Sequence, residues 1–105
     1  MRKLLVLFGI TFISTNVLAS NSPVSLTLGQ EGNLSVIKVH SEVNKVTIKD
    51  ISVNRGNCSV TKGGLSGTDN GVTVFGESQS YYAPRCNVKE VVVYTDQGNW
   101  TFTLN

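Results

Sequence analysis

Residues 88–104 read VKEVVVYTDQGNWTFTL, two runs of β-branched and aromatic residues that flank Asp96-Gln97-Gly98. Residues of these types favour strands, and a short glycine-containing loop between two such runs is typical of a β-hairpin. The stretch therefore predicts strands over 88–95 and 99–104, joined by a tight turn.

The register of this hairpin depends on the length of its loop. With Gly98 in the left-handed position of a three-residue loop, Tyr94 pairs with Trp100. Two residues further along, Val92 pairs with Phe102. One face of the hairpin then carries both aliphatic and aromatic side chains, those of Val88, Val92, Tyr94, Trp100, Phe102 and Leu104. A two-residue loop would align a different set, Val91 and Val93 with Leu104 and Phe102. We predict the first register, and the second remains the alternative.

The preceding chain also alternates with a period of two rather than 3.6, which favours strands over helices. Strands are predicted over 24–28, 34–39, 46–53 and 72–75. Within 46–53 the apolar phase slips by one residue, which indicates a β-bulge around Lys49-Asp50 or a crossing between two sheets. About seven short strands with turn signals every 8–12 residues predict an all-β fold, a small antiparallel β-sandwich.

The N-terminus has the pattern of a secretory signal peptide. Arg2 and Lys3 precede an apolar run over 4–13, and Val17-Leu18-Ala19 supplies the small residues of a cleavage site. We predict a signal peptide over 1–19 and a single domain over 20–105. The apolar run is too short for a spanning helix, so export to the periplasm or the medium is expected, from a Gram-negative bacterium.

Charge and size restrict the function of the remaining 86 residues. They contain seven basic and seven acidic side chains, because two of the nine basic residues lie in the leader. A domain without net charge does not neutralise a row of phosphates, so nucleic acid is excluded as a partner. A chain of this length is marginally stable unless it is cross-linked. In an exported protein the two cysteines, Cys58 and Cys86, are expected to form that disulfide.

The segment enclosed by the two cysteines differs from the rest of the chain. It is rich in glycine, and Thr68-Asp69-Asn70-Gly71 is typical of a hairpin turn. Residues 77–85 are predicted as a loop or an irregular edge strand, because Pro84 cannot donate to a ladder. A loop-rich segment on a rigid framework is a common place for recognition residues.

Three residues of this segment are candidates for protein binding, Tyr81, Tyr82 and Arg85. Tyrosine and arginine are enriched at the energetic centres of protein interfaces. The alternative is that one tyrosine packs into the core while Arg85 is solvated.

Catalysis is not indicated by the residues that the domain contains. Its single histidine, His40, lies beside Ser41 and Glu42, but neighbours on a strand point to opposite faces. A zinc site needs three or four Cys or His ligands, and both cysteines are expected to be oxidised. Asp69-Asn70-Gly71 lacks the spaced ligands of a calcium loop. We therefore predict a non-enzymatic protein without a metal or cofactor.

The segments Asn54-Arg55-Gly56-Asn57-Cys58, Cys86 to Val91 and Gly98 to Phe102, together with the leader, resemble the interleukin receptor mimic protein A (IrmA) group of small exported bacterial proteins. The resemblance covers about half of the mature chain, mainly at structural residues. It implies a fibronectin type III (immunoglobulin-like) sandwich, a strand-swapped homodimer and binding of a host cytokine. Small periplasmic accessory proteins of conjugative plasmids share the same general features.

Two functions are therefore expected from this sequence. The first is a secreted, virulence-associated effector that binds a host protein such as a cytokine. The second is a periplasmic accessory component of a conjugation or pilus apparatus. A small inhibitor protein is a third alternative, because disulfide-linked sandwiches often serve that role.

Overall fold

The computed structural model describes residues 16–18, 21–63 and 70–104, and nine strands lie in these ranges. A single 3-10 turn, Asn54–Gly56, follows the fourth strand. The strands are β1 (Asn16–Leu18), β2 (Val24–Glu31), β3 (Leu34–Ser41), β4 (Lys45–Val53), β5 (Thr61–Lys62), β6 (Val72–Val74), β7 (Ser78–Pro84), β8 (Glu90–Thr95) and β9 (Gly98–Thr103).

The strands form two antiparallel sheets that enclose one core. The first sheet has the order β1-β2-β3-β7-β5 and the second has the order β6-β4-β8-β9. Leaving aside β1 and β5, this is the A-B-E and C′-C-F-G arrangement of immunoglobulin-type sandwiches. The predicted small antiparallel β-sandwich is confirmed.

The core lies between the two sheets and consists mainly of β-branched residues. Every second residue of the long strands points into it, as alternation along a strand requires. Its fully buried members include Leu26, Ile37, Val53, Val93 and Phe102. Leu28, Val88, Trp100 and Leu104 pack against it from the sides.

The predicted irregularity in β4 is confirmed as a β-bulge. The pairing of β4 with β8 shifts between Ile48 and Asp50. Ile48 and Ile51 are both buried although they are three positions apart, an odd spacing that would place them on opposite faces of a regular strand. The bulge allows this because the extra residue switches the face to which later side chains point.

The predicted register of the C-terminal hairpin is wrong. Its loop has two residues, Asp96-Gln97, and Val93 lies opposite Trp100 while Val91 lies opposite Phe102. The alternative had the correct loop length, but its alignment is also wrong, by two residues along β9. Three consecutive valines make both phases of β8 apolar, so alternation within the strand does not select one. The facing sheet selects the phase in which Val91 and Val93 are completely buried.

The segment over 77–85 is an interior strand rather than a loop or an edge strand. β7 lies between β3 and β5 and pairs with β3 over seven residues. Pro84 is its last residue and lies beyond the pairing with β5, which involves Tyr81 and Tyr82. Proline is tolerated there because no β5 carbonyl requires its missing N–H.

Several predicted boundaries fall on residues outside the described ranges. Of the predicted leader, the structure describes 16–18, which form β1 and pair with β2. Thr68 and Asp69 of the predicted hairpin turn also lie outside; Gly71 has a φ of +82°, and the following strand pairs with β4. No helix within the described residues is long and apolar enough to cross a membrane.

Candidate protein-binding surface

Cys58 and Cys86 form the predicted disulfide at one end of the sandwich. Their Sγ atoms are 2.05 Å apart and their Cα atoms 6.0 Å apart. Cys58 follows β4 and Cys86 follows β7, so the bond joins two connections that each cross from one sheet to the other. This end of the molecule, which also contains the Gly32-Asn33 turn, is called the disulfide end below.

Asn54 reinforces the disulfide end through its side-chain amide. Its Nδ2 donates to the carbonyl oxygen of Asn87 at 2.9 Å, and its Oδ1 accepts from the amides of Lys89 at 2.7 Å and Glu90 at 3.1 Å. Nδ2 also lies 3.4 Å from the Sγ of Cys58. Asn54 has a φ of +53°, a left-handed conformation that asparagine tolerates better than most residues.

Tyr81 lies in the core and not on a surface. It is 2% exposed and lies opposite Ile37 of β3. Desolvation by burial, with a smaller contribution from the charge of Asp50, raises the pKa of Tyr81 to about 12. A side chain in this position contributes to folding and is not available to a partner of the folded protein.

Tyr82 points to the opposite, outer face of the first sheet and is half-buried. Its ring lies directly over Gly63, where a Cβ would approach Cε2 of the ring to 2.0 Å. The absence of a side chain at Gly63 is therefore what allows the ring to occupy this position, next to the end of β5. Two consecutive tyrosines lie on opposite faces because side chains alternate along a strand.

Arg85 is exposed at the disulfide end, in the connection that follows β7. It has a φ of +52°, and its amide donates to the carbonyl oxygen of Asn33 at 2.7 Å. A shallow cleft beside it is lined by Asn33, Asn57, Cys58, Ser59, Pro84 and Arg85. The structure thus places the three predicted binding residues in the core, on the outer face and at one end, and does not bring them together.

The opposite end of the sandwich exposes a large apolar side chain that the sequence did not single out. Phe75 is 66% exposed and follows β6 in a tight turn. Its amide donates to the carbonyl oxygen of Asn44 at 3.2 Å, and the Glu77 amide donates to that of Val74 at 2.9 Å. Gly76, with a φ of +91°, permits the turn. These bonds hold the backbone of Phe75 while its ring faces solvent.

A groove lies beside Phe75 on the outer face of the first sheet. It is lined by Ser25, Thr27, His40, Ser41, Glu42, Phe75 and Gly76. We call this set the Phe75 groove. It spans β2 and β3 and ends at the turn that presents the aromatic ring, so polar and apolar contacts are available side by side.

The polar side chains of the Phe75 groove form two separate pairs. The Ser25 hydroxyl donates to Oε2 of Glu42 at 2.6 Å, and Thr27 Oγ1 lies 2.7 Å from Nε2 of His40. The serine is thus bonded to the carboxylate and not to the histidine, an arrangement different from a nucleophile–base–acid relay. Within the described ranges no group of three His, Cys, Asp or Glu residues could hold a metal.

Exposure of Phe75 could not be read from local sequence. Val72-Thr73-Val74-Phe75 has the composition of a strand, and the sequence predicted a strand through Phe75. The structure ends β6 at Val74, because the turn closed by Gly76 begins there. The available signal was the glycine one residue after the aromatic ring, which marks a turn as well as it marks a bulge.

Comparison with known proteins gives no indication of function, so a functional proposal depends on the fold and on the exposed surface described above. No protein-family model, no curated protein and no solved structure matches the chain.

Proposed function

We propose that this chain is an exported, non-enzymatic binding module, a secreted effector that binds a host protein through Phe75 and the adjoining groove. The exposed ring of Phe75 is the observation on which the proposal depends. A phenylalanine two-thirds exposed on a backbone held by hydrogen bonds presents apolar area in a fixed position. Aromatic anchors of this kind supply much of the binding energy of protein interfaces.

The expected gain from covering Phe75 is large enough to matter for affinity. Fully burying a phenylalanine side chain contributes about 1.5–3 kcal/mol, so covering the exposed two-thirds of this ring would stabilise a complex by about 1–2 kcal/mol. The groove would add hydrogen bonds from the Thr27–His40 pair and from the carboxylate of Glu42. The resemblance to the IrmA group makes a cytokine the first partner to test.

Capture of a partner from serum by the tagged protein tests this surface. We expect Phe75→Ser to lose capture while its thermal unfolding stays unchanged. Arg85→Gln, at the disulfide end, serves as the matched control and is expected to retain capture. Loss with Arg85→Gln and retention with Phe75→Ser would move the binding surface to the residues that the sequence had indicated.

Fractionation of the producing bacterium tests where the module acts. We expect the processed protein in the culture supernatant. Retention in the periplasm would contradict a secreted effector and favour an accessory component of an envelope apparatus.

A further inference from the structure

β2 is the second strand of the first sheet, and its outer side is only partly covered by the short strand β1. On one side it pairs with β3 over its full length, from Val24 to Glu31. On the other side it pairs with 16–18 alone among the described residues, in an antiparallel register that sets residue 17 opposite Leu26. Five of its eight residues therefore have a neighbouring strand on one side only.

The sequence of β2 lacks the features that usually protect an edge. Natural edge strands carry lysine, proline or a bulge that discourages further pairing. Residues 24–31 read VSLTLGQE, with a single charge at the last position and no proline inside the strand. The two-residue turn between Glu31 and Leu34 determines which residues of β2 bond to β3. Alternate residues of β2, including Leu26 and Leu28, direct their backbone N–H and C=O groups away from β3.

The segment that covers this edge is the one that processing is predicted to remove. Residues 16–18 precede the cleavage site after Ala19. The core cluster runs from Val24 to Phe102 and the disulfide joins Cys58 to Cys86, so residues 20–105 contain both. Removal of β1 therefore leaves the folded domain in place and the β2 edge open.

We propose that the β2 edge is a strand-acceptor site, closed by residues 16–18 in the unprocessed chain and occupied after processing by an extended segment of the protein partner. This inference rests on the proposed binding function and on cleavage after Ala19. Strand addition of this kind gains affinity from main-chain hydrogen bonds and specificity from alternate side chains.

The register assigns a chemistry to the incoming strand. A residue opposite Leu26 shares the face of a fully buried side chain, so it should be apolar. A residue opposite Ser25 shares the face of the Phe75 groove, where the carboxylate of Glu42 accepts the Ser25 hydroxyl. Glu42 is exposed, and a carboxylate that accepts a neutral hydroxyl has further acceptor positions for a cation. The incoming strand should therefore carry a basic residue opposite Ser25.

Three synthetic peptides, added at millimolar concentration to residues 20–105, test the site. The first has the sequence of residues 14–20, STNVLAS. The second carries Leu18→Lys, which places a cation opposite Ser25. The third adds Val17→Pro to the second, which removes the central N–H and serves as the control. Hydrogen exchange of the amides at 24–28 is the measurement.

We expect the first two peptides to slow exchange at 24–28, the lysine peptide more strongly, and the proline peptide to have no effect. Glu42→Gln should weaken the lysine peptide about two- to fivefold and leave the first peptide unchanged, as for a partly exposed ion pair. The unprocessed chain, whose edge is closed, should bind none of them.

Two results would overturn this inference. If neither the first peptide nor the lysine peptide changes hydrogen exchange at 24–28, the β2 edge is not an acceptor site. The proposed function would still hold in that case if capture depends on Phe75. Slow exchange at 24–28 without peptide, together with a dimer mass, would assign the edge to a second copy of the chain. If the peptides bind normally but Phe75→Ser captures the partner as well as the wild-type protein does, the proposed function is contradicted and the acceptor site is retained.

Discussion

The two ends of the sandwich are built in opposite ways. At the disulfide end, a covalent bond and the side chain of Asn54 tie together the connections that follow β4 and β7. At the other end, backbone hydrogen bonds hold a turn from which Phe75 projects into solvent. At the disulfide end the side chains stabilise the fold. At the other end the side chain of Phe75 is exposed and contributes little to the fold.

If Phe75 binds the partner as proposed, residues that stabilise the fold and residues that recognise the partner lie at different ends of the molecule. Substitutions at the disulfide end should change the free energy of unfolding and have little direct effect on binding. Substitutions at the Phe75 end should do the reverse. Stability measurements on variants at both ends therefore test whether the two roles are separate.

Removal of the disulfide should have the largest effect. In the chain-entropy treatment, a cross-link across a sequence separation of 28 stabilises the native state by about 3.6 kcal/mol. The double variant Cys58→Ala, Cys86→Ala should lower the free energy of unfolding by about that amount, measured by urea denaturation. A reducing agent should shift the wild-type protein similarly and leave the double variant unchanged; an equal response of both would contradict the prediction.

Alkaline pH should destabilise the protein through Tyr81, which lies between the two ends. Its pKa of about 12 in the folded state exceeds the ordinary value of 10.0, because burial disfavours the phenolate. The corresponding stabilisation is fully present below pH 10 and is lost as the pH rises through 12. The free energy of unfolding should therefore fall by about 1.4 kcal/mol between pH 8 and pH 11 from this group.

Urea denaturation at the two pH values, with absorbance of the tyrosinate, provides the measurement. Tyr81→Phe is the control, because it keeps the ring and removes the ionisation. If the variant loses as much stability at pH 11 as the wild-type protein, Tyr81 is not the cause of the alkaline decline.

Asn54→Ala should destabilise the disulfide end by about 2 kcal/mol. The change removes three hydrogen bonds to the backbone of Asn87, Lys89 and Glu90, and it places alanine at a φ of +53°. Asn57→Ala, at an exposed neighbouring position, is the matched control and should cost less than about 0.5 kcal/mol. Thermal unfolding of both variants gives the comparison, and equal midpoints would show that the amide network contributes nothing.

Phe75→Ser should have the smallest effect on stability, within about 0.5 kcal/mol of the wild-type protein, because the ring contributes little to the core. A small gain in solubility is expected, since an exposed aromatic ring promotes association. Urea denaturation and light scattering measure the two effects. A loss of more than about 2 kcal/mol would show that the Phe75 end supports the fold, and the contrast between the ends would disappear.

The β-strands show which structural features a local sequence pattern can predict and which it cannot. The β-bulge at Lys49-Asp50 was predictable, because a slip in the apolar phase is visible in the sequence of the strand itself. The register of β8 with β9 was not, because three successive valines satisfy either phase. For the same reason the sequence could nominate Tyr81 and Tyr82 but could not tell which of them faces the core.

The exposure of residues on the candidate surface was also only partly predictable from the sequence. Arg85 was nominated by residue type and is exposed, whereas Phe75 was assigned to a strand and projects from a turn. A strand that ends one residue early reverses the exposure of its last side chain. Such a boundary depends on the neighbouring chain, here the carbonyl of Asn44 that accepts the Phe75 amide.

By itself, the amino-acid sequence determined the sheet content, the bulge and the pairing of the two cysteines, because alternation, phase slips and an even cysteine count are properties of the chain alone. The tertiary structure decided the register of the C-terminal hairpin, the interior position of β7, the burial of Tyr81 and the partial covering of the outer side of β2. Each of these depends on which face of a strand meets the opposite sheet, and burial against a distant partner is a free energy that no local pattern contains.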